Sequence, residues 1–264
     1  MTGRLLAFML ALALLPGAAC AAAPRLVSAG LLTWGTSPTF APFEFQRDNK
    51  SVGFDVDMMA DLARRIGLKS SMLGMDFAGI VPALAAHRID AAVSGMYITP
   101  ARLKVVDFIP YLKIGNQIVV PAADPAHLTG RSDLCGHRVA VAVSTAFEQA
   151  AEAESATCKA AGRKAITLLT LPNSAVVALA LRQGRAEAAL SSNATVAAMI
   201  SQNPGVFLAV GKPFDTSTRL GIGVAKDNPA LLAALTSALT AMEHDGTYIR
   251  LLKKWSLPPD SSIF

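Results

Sequence analysis

The chain has 264 residues, 52% of them apolar, with 24 Lys and Arg against 19 Asp and Glu for a net charge of +5. That length and apolar content exclude a disordered chain and supply a large core for one or two domains. The basic residues are scattered rather than clustered, which argues against nucleic acid as a partner.

Residues 1–23 read as a secretory leader: Arg4 precedes an apolar run from Leu5 to Leu15, Pro16-Gly17 closes it, and small residues follow to Ala23. The run is too short for a membrane span, and no later stretch is long and uncharged enough for one. Cys20 is a candidate for lipidation, although Gly17-Ala18-Ala19 lacks the leucine usual three positions before such a cysteine; a soluble product starting near Ala22 is the alternative. Cys135 and Cys158 are then the two thiols of the folded region. One lies just before a strand and the other ends the following helix, so in an oxidising compartment they are expected to pair.

A strand over Leu31–Gly35 leads to a loop rich in turn formers and aromatics, in which Phe43 and Phe45 are expected in the core and Phe40 in a cleft wall. Gly53 precedes a helix with Val56, Met59, Ala60, Ala63 and Ile66 at helical spacing and a solvated face of Asp57, Asp61, Arg64 and Arg65. A strand near Ser70–Leu73 and a helix from about Gly79 to His87 follow, with Pro82 in that helix's first turn. Ile89–Val93 is an apolar strand running into Ser94-Gly-Met-Tyr-Ile-Thr-Pro-Ala-Arg102. Thr99 is an N-cap, Pro100 suits the first helical position, and Arg102 falls in the first turn beside unpartnered N–H groups. A guanidinium at a helix start suits a carboxylate, which it can grip bidentately. A solvated arginine behind an ordinary cap is the alternative.

Asn116–Val120 reads as a strand ending at Pro121, where a change of composition suggests a crossing between domains. The pattern then restarts, with alternating Val139, Val141 and Val143, and a capping box at Thr145 and Glu148 opening an alanine-rich helix. A strand over Ile166–Leu171, a helix capped by Asn173, a strand over Glu187–Leu190, a helix capped by Ser192-Asn193 and a strand over Val206–Val210 complete this unit. Leu220–Ala225 returns to the first unit, followed by helices from Asn228-Pro229 and around Tyr248–Trp255. The result is two α/β lobes with a hinge: 24–119 with 215–264, and 120–214 inserted.

Other chemistry finds little support. The four histidines lack ligand spacing, no Cys-x-x-Cys occurs, and neither a metal nor a cofactor is expected. Gly211-Lys212 is followed by Pro213, Gly221-Ile-Gly223 lacks a third glycine, and no Gly-x-Ser-x-Gly elbow is present. Glu44, Glu148 and Glu187 are read as capping or surface acids.

The chain resembles the bacterial extracellular solute-binding proteins of polar amino-acid ABC transporters. The likeness rests on Gly35–Phe45, Gly53-Phe-Asp-Val-Asp57, Ile89-Asp-Ala-Ala92, Ile98-Thr-Pro-x-Arg102, Val106-Asp-Phe108, Gly184-Arg185 and Asp245-Gly-Thr-Tyr248, in order along the chain. The resemblance implies the type II periplasmic binding fold, a periplasmic monomer, no catalysis, a small solute in the interlobe cleft and an inner-membrane ABC permease as partner. It also implies that Arg102 holds a ligand α-carboxylate, that Ser94, Gly95, Ser144 and Thr145 add hydrogen bonds, and that Phe40 and Phe77 wall the side chain. Two departures stand out. Tyr97 occupies a position where the family usually has Ser or Thr, and Ser192 beside Asn193 falls where relatives carry an acid for the ligand ammonium. Without that acid, a cationic amine loses a charge-assisted partner worth ~1.5–3 kcal/mol per hydrogen bond. An exported cyclohexadienyl or arogenate dehydratase on the same fold is the enzymatic alternative, against which stands the lack of a persuasive acid in the second lobe.

Overall fold

The computed structural model describes residues 23–123 and 127–264. The leader lies outside the described residues except for Ala23, as does the lipidation candidate Cys20. The first half runs β1 (Leu31–Thr36), β2 (Thr39–Phe40), β3 (Glu44–Arg47), β4 (Lys50–Val52), α1 (Phe54–Arg65), β5 (Lys69–Gly74), α2 (Phe77–Ala85), β6 (Ala91–Ala92), α3 (Pro100–Leu103) and β7 (Val106–Pro121). The second continues with β8 (Arg138–Ala142), α4 (Ala146–Ala160), β9 (Thr167–Leu171), α5 (Ser174–Arg182), β10 (Ala188–Ser192), α6 (Asn193–Gln202) and β11 (Phe207–Ala225), before α7 (Pro229–His244) and α8 (Thr247–Lys254).

Eight strands form one sheet in the order β5-β1-β6-β11-β7-β10-β8-β9. β1 pairs parallel with β5 and β6, and β8 pairs parallel with β9 and β10, so each flank is a parallel α/β unit. The antiparallel pair β7 and β11 joins them. Leu112 and its predecessors pair with Leu220–Ala225 on one side, and Ile118–Pro121 pair with Phe207–Val210 on the other, with register shifts between. The separate strands expected over 116–120, 206–210 and 220–225 are therefore parts of two long ones. Pro110 and Gly221 sit opposite each other beside a register shift, where a missing N–H is tolerated.

Three further expectations are corrected. The buried face of α1 is Phe54, Asp55, Met58, Met59, Leu62 and Ala63, while Ala60 is exposed. The helix is set by Gly53, at φ 144°, whose position against Phe43 is so close that a Cβ would stand 2.0 Å from the Phe43 carbonyl oxygen. The solvated face of α1 is also partly engaged, since Asp57 accepts from Trp255 Nε1 at 2.6 Å and from Lys254 at 2.7 Å. Finally, α2 starts two residues earlier than expected, so Pro82 lies inside it. The carbonyl it leaves unpaired belongs to exposed Ala78, where water can reach it. Cys135 and Cys158 form a disulfide, with 5.6 Å between Cα atoms.

Candidate ligand-binding cavity

Where the carboxyl ends of the strands meet the following helices, the two flanks enclose a tight cavity of about 30 Å³. The first flank contributes Ser37, Thr39 and Phe40 from the β1–β2 turn, Glu44 from β3, Phe77 from α2, then Ser94, Gly95, Tyr97 and Arg102. The second contributes the starts of two helices, with Ala142, Thr145, Ala146 and Phe147 at α4 and Asn173 and Ser174 at α5. Thr145 accepts from Glu148 N–H at 3.2 Å and Asn173 from Val176 N–H at 3.1 Å. Both helices thus begin at the cavity with first-turn N–H groups lacking intrahelical partners.

Arg102 is the one Lys or Arg among the lining residues. The helix it belongs to is a single turn, capped by Thr99, which accepts from Arg102 N–H at 3.3 Å. Its guanidinium donates to the Tyr97 carbonyl at 2.7 Å and, across the cavity, to the Ser144 carbonyl at 3.0 Å, and it lies 5.2 Å over the Phe77 ring. Burial draws its pKa down to about 10, so it stays charged at neutral pH.

The first flank also carries an acidic cluster. Glu44 is fully buried; it accepts from Ser94 Oγ at 2.8 Å, and Ser94 Oγ itself accepts from Ser37 N–H at 3.0 Å. Asp55, also fully buried, accepts from Gly95 N–H and from Tyr111 O–H, both at 2.9 Å. The remaining oxygens, Glu44 Oε2 and Asp55 Oδ1, have no donor. Desolvation raises both pKa values, Asp55 to about 6, and the negative charge of Asp55 pushes Glu44 further up.

Aromatic rings form the rest of the wall. Phe147 stands edge-on to Tyr97 with centroids 5.3 Å apart, and 6.1 Å from Phe40, which stacks on Phe43. Gly95 is required here: at φ 47°, a Cβ on it would stand 2.6 Å from the Phe40 ring. Tyr97 O–H donates to Asn116 at 3.1 Å, and Asn116 donates in turn to Asp215 at 3.1 Å. Burial and the charge of Asp215 raise the Tyr97 pKa, so the phenol remains protonated.

A family model described as bacterial extracellular solute-binding proteins, family 3, matches residues 32–258. The chain belongs to this family. The ABC transporter arginine-binding protein 1 of Escherichia coli K12 is 31% identical over 229 residues, covering 85% of this chain and 90% of that protein. Among solved structures, an ancestral arginine-binding protein bound to arginine superposes with a TM-score of 0.78 at 36% identity, over 86% of this chain and 98% of the other. The ancestral amino acid-binding protein AncCDT-1, a precursor of cyclohexadienyl dehydratase, gives 0.76 at 32% identity, over 86% and 95%.

This family 3 solute-binding protein has the α/β fold of its periplasmic neighbours, and no helix among its described residues is long and apolar enough to cross a membrane. Nor do the described residues contain a group of three His, Cys, Asp or Glu placed to hold a metal. Of the residues singled out from sequence, Phe40, Phe77, Ser94, Gly95, Tyr97, Arg102 and Thr145 line the cavity, and Ser144 borders it through its carbonyl. Ser192 and Asn193 do not line it. Ser192 is buried at the start of α6, accepting from Thr195 N–H at 2.9 Å, and Asn193 accepts from Gly115 N–H at 3.1 Å, so both serve backbone at the base of the second flank. Glu44 is corrected from a surface acid to a cavity residue, whereas Glu148 caps Ser144 N–H at 2.7 Å and Glu187 accepts from Arg138 N–H at 2.7 Å. Phe147 and Ser174 were missed. Each stands one or two residues after a recognised cap, the one signal in the sequence that marks them.

Proposed function

We propose that this protein is the periplasmic receptor of an ABC importer, closing on an amino acid or related small carboxylate and presenting it to an inner-membrane permease. The observation that carries this is Arg102, the cavity's one lining cation, at the junction of the two flanks. In this reading the solute carboxylate takes the guanidinium, Ser94, Gly95, Ser144 and Thr145 add hydrogen bonds, and Phe40 and Phe77 wall the remainder. Residues 24–119 with 215–264 and residues 120–214 act as lobes that turn about β7 and β11, in a protein that works as a monomer. Family membership and the arginine-binding relatives support the solute class. Titration calorimetry against amino acids and small carboxylates is expected to give a single-site isotherm, weakened about a hundredfold or more by Arg102→Ala, since removing one partner of a buried charge pair costs about 2–5 kcal/mol. An unchanged constant would remove the site assignment.

The likeness to AncCDT-1 raises a dehydratase as the second reading. Against it, the second flank lines the cavity with no acid, and Glu44 sits behind Ser94. Incubation with prephenate or arogenate is expected to yield no phenylpyruvate or phenylalanine; formation of either would replace the receptor reading with an enzymatic one.

A further inference from the structure

The cavity offers a cation more ring surface than hydrogen-bond acceptors. Phe40, Tyr97 and Phe147 meet in one wall, and because the Tyr97 hydroxyl is engaged by Asn116, its ring is what it offers to a solute. A primary ammonium brings N–H donors that each need an acceptor once buried. The lining supplies one acid for them, Glu44, whose oxygens are turned to Ser94 and to the neighbouring carboxyl of Asp55. Ser192, at the position where an acid was expected, is outside the cavity and occupied with Thr195. An ammonium whose hydrogens are all replaced by carbon needs no acceptor. It is held instead by the negative faces of aromatic rings.

We infer that the solute is a betaine, a small carboxylate carrying a fully alkylated ammonium, with its carboxylate on Arg102 and its cation against Phe40, Tyr97 and Phe147. This rests on the reading of the cavity as a carboxylate site. The carboxyl pair of Glu44 and Asp55, set behind the Gly95 turn, contributes negative potential on the same side, and its two oxygens without a donor, Glu44 Oε2 and Asp55 Oδ1, face each other. The cavity, about 30 Å³, is smaller than such a solute, which is admitted when the Arg102–Ser144 contact parts.

The test is calorimetry and thermal shift on the purified protein with glycine betaine and proline betaine, their parents glycine and proline, and tert-butylacetate, the isostere of glycine betaine in which carbon replaces the cationic nitrogen. A betaine is expected to bind about tenfold or more tightly than both its parent and the isostere. Tyr97→Leu and Phe147→Leu are each expected to weaken it about tenfold, with the ligand-free melting temperature showing that the variants fold. Equal binding of the isostere would mean an apolar site and overturn the inference, as would failure of both betaines to bind. Preference for the parents, or for other primary amino acids, would overturn it while leaving the carboxylate reading in place. Binding of any carboxylate unaffected by Arg102→Ala would overturn that underlying reading instead.

Discussion

Two carboxyl groups with no exposed surface lie together under the cavity, and no Lys, Arg or His forms a salt bridge with either among the described residues. With Ser94 on one oxygen of Glu44, and Gly95 and Tyr111 on one of Asp55, the two leftover oxygens have no donor, which a single proton shared between them would supply. Like charges so close cannot both form without cost. Because the folded pKa of each group lies above its unfolded value, the folded state binds more protons, and stability falls as pH rises. The contribution is present below about pH 4 and is lost through about pH 6 and upward as Asp55 and then Glu44 ionise. Glu44→Gln keeps a donor facing Asp55 but cannot ionise. Ligand-free melts of the two proteins at matched ionic strength should therefore diverge with pH, the wild type losing more stability above about pH 6; parallel curves would show that no proton is shared. Sequence reasoning gave Glu44 a capping or surface role because an acid is seldom fully buried and the partners that bury this one lie far along the chain, whereas Arg102 stood out because its neighbours Thr99 and Pro100 are a local signal.

That distinction extends to whole elements. Thr99, Thr145, Asn173 and Ser192 were read as caps and Asn228 as a helix start, and each accepts from an N–H three residues on, a contact that depends on nothing beyond one turn of chain. The extent of β7 and β11 was not legible, because each strand is completed by the other from about a hundred residues away, and their pairing absorbs Pro110 and Gly221. The inward face of α1 was missed by about one position for a similar reason: the contact of Gly53 with Phe43, and the partners of Asp55 on other elements, set its rotation. Capping carries a measurable consequence at α4. Thr145→Ala should lower stability by about 1 kcal/mol in urea unfolding and also weaken solute binding, because the helix start it fixes carries Phe147 into the cavity. The disulfide acts at the other end of this helix, closing a sequence separation of 23 residues. Cys135→Ser with Cys158→Ser should cost about 3 kcal/mol of stability while leaving solute affinity within a few fold, since the bridge lies apart from the cavity lining.

Across the whole molecule, continuity of the sheet rests on β7 and β11, whose register slips between Val210 and Phe214 and again before Thr218. Interrupted pairing makes this the softest line through an otherwise regular ladder. At the cavity the flanks touch through a different set of contacts: Arg102 reaches the Ser144 carbonyl, and Phe147 packs on both Phe40 and Tyr97. In the proposed function a solute would take Arg102 only after these contacts part, and once seated would replace the Ser144 carbonyl with a charged partner. Hydrogen bonds to charged groups contribute about 1.5–3 kcal/mol, so the Arg102–Ser144 contact joins the flanks only weakly, and on the proposed function a solute would add its own differential affinity for the closed arrangement. Saturating solute should then lower the radius of gyration measured by small-angle X-ray scattering and raise the melting temperature. At a hundredfold excess over Kd the linkage is ~2.7 kcal/mol, roughly 5–10 °C for a chain of this size. Calorimetric binding with an unchanged radius would mean that the flanks do not move apart on release, and that the solute enters through side-chain motion of Phe147 alone.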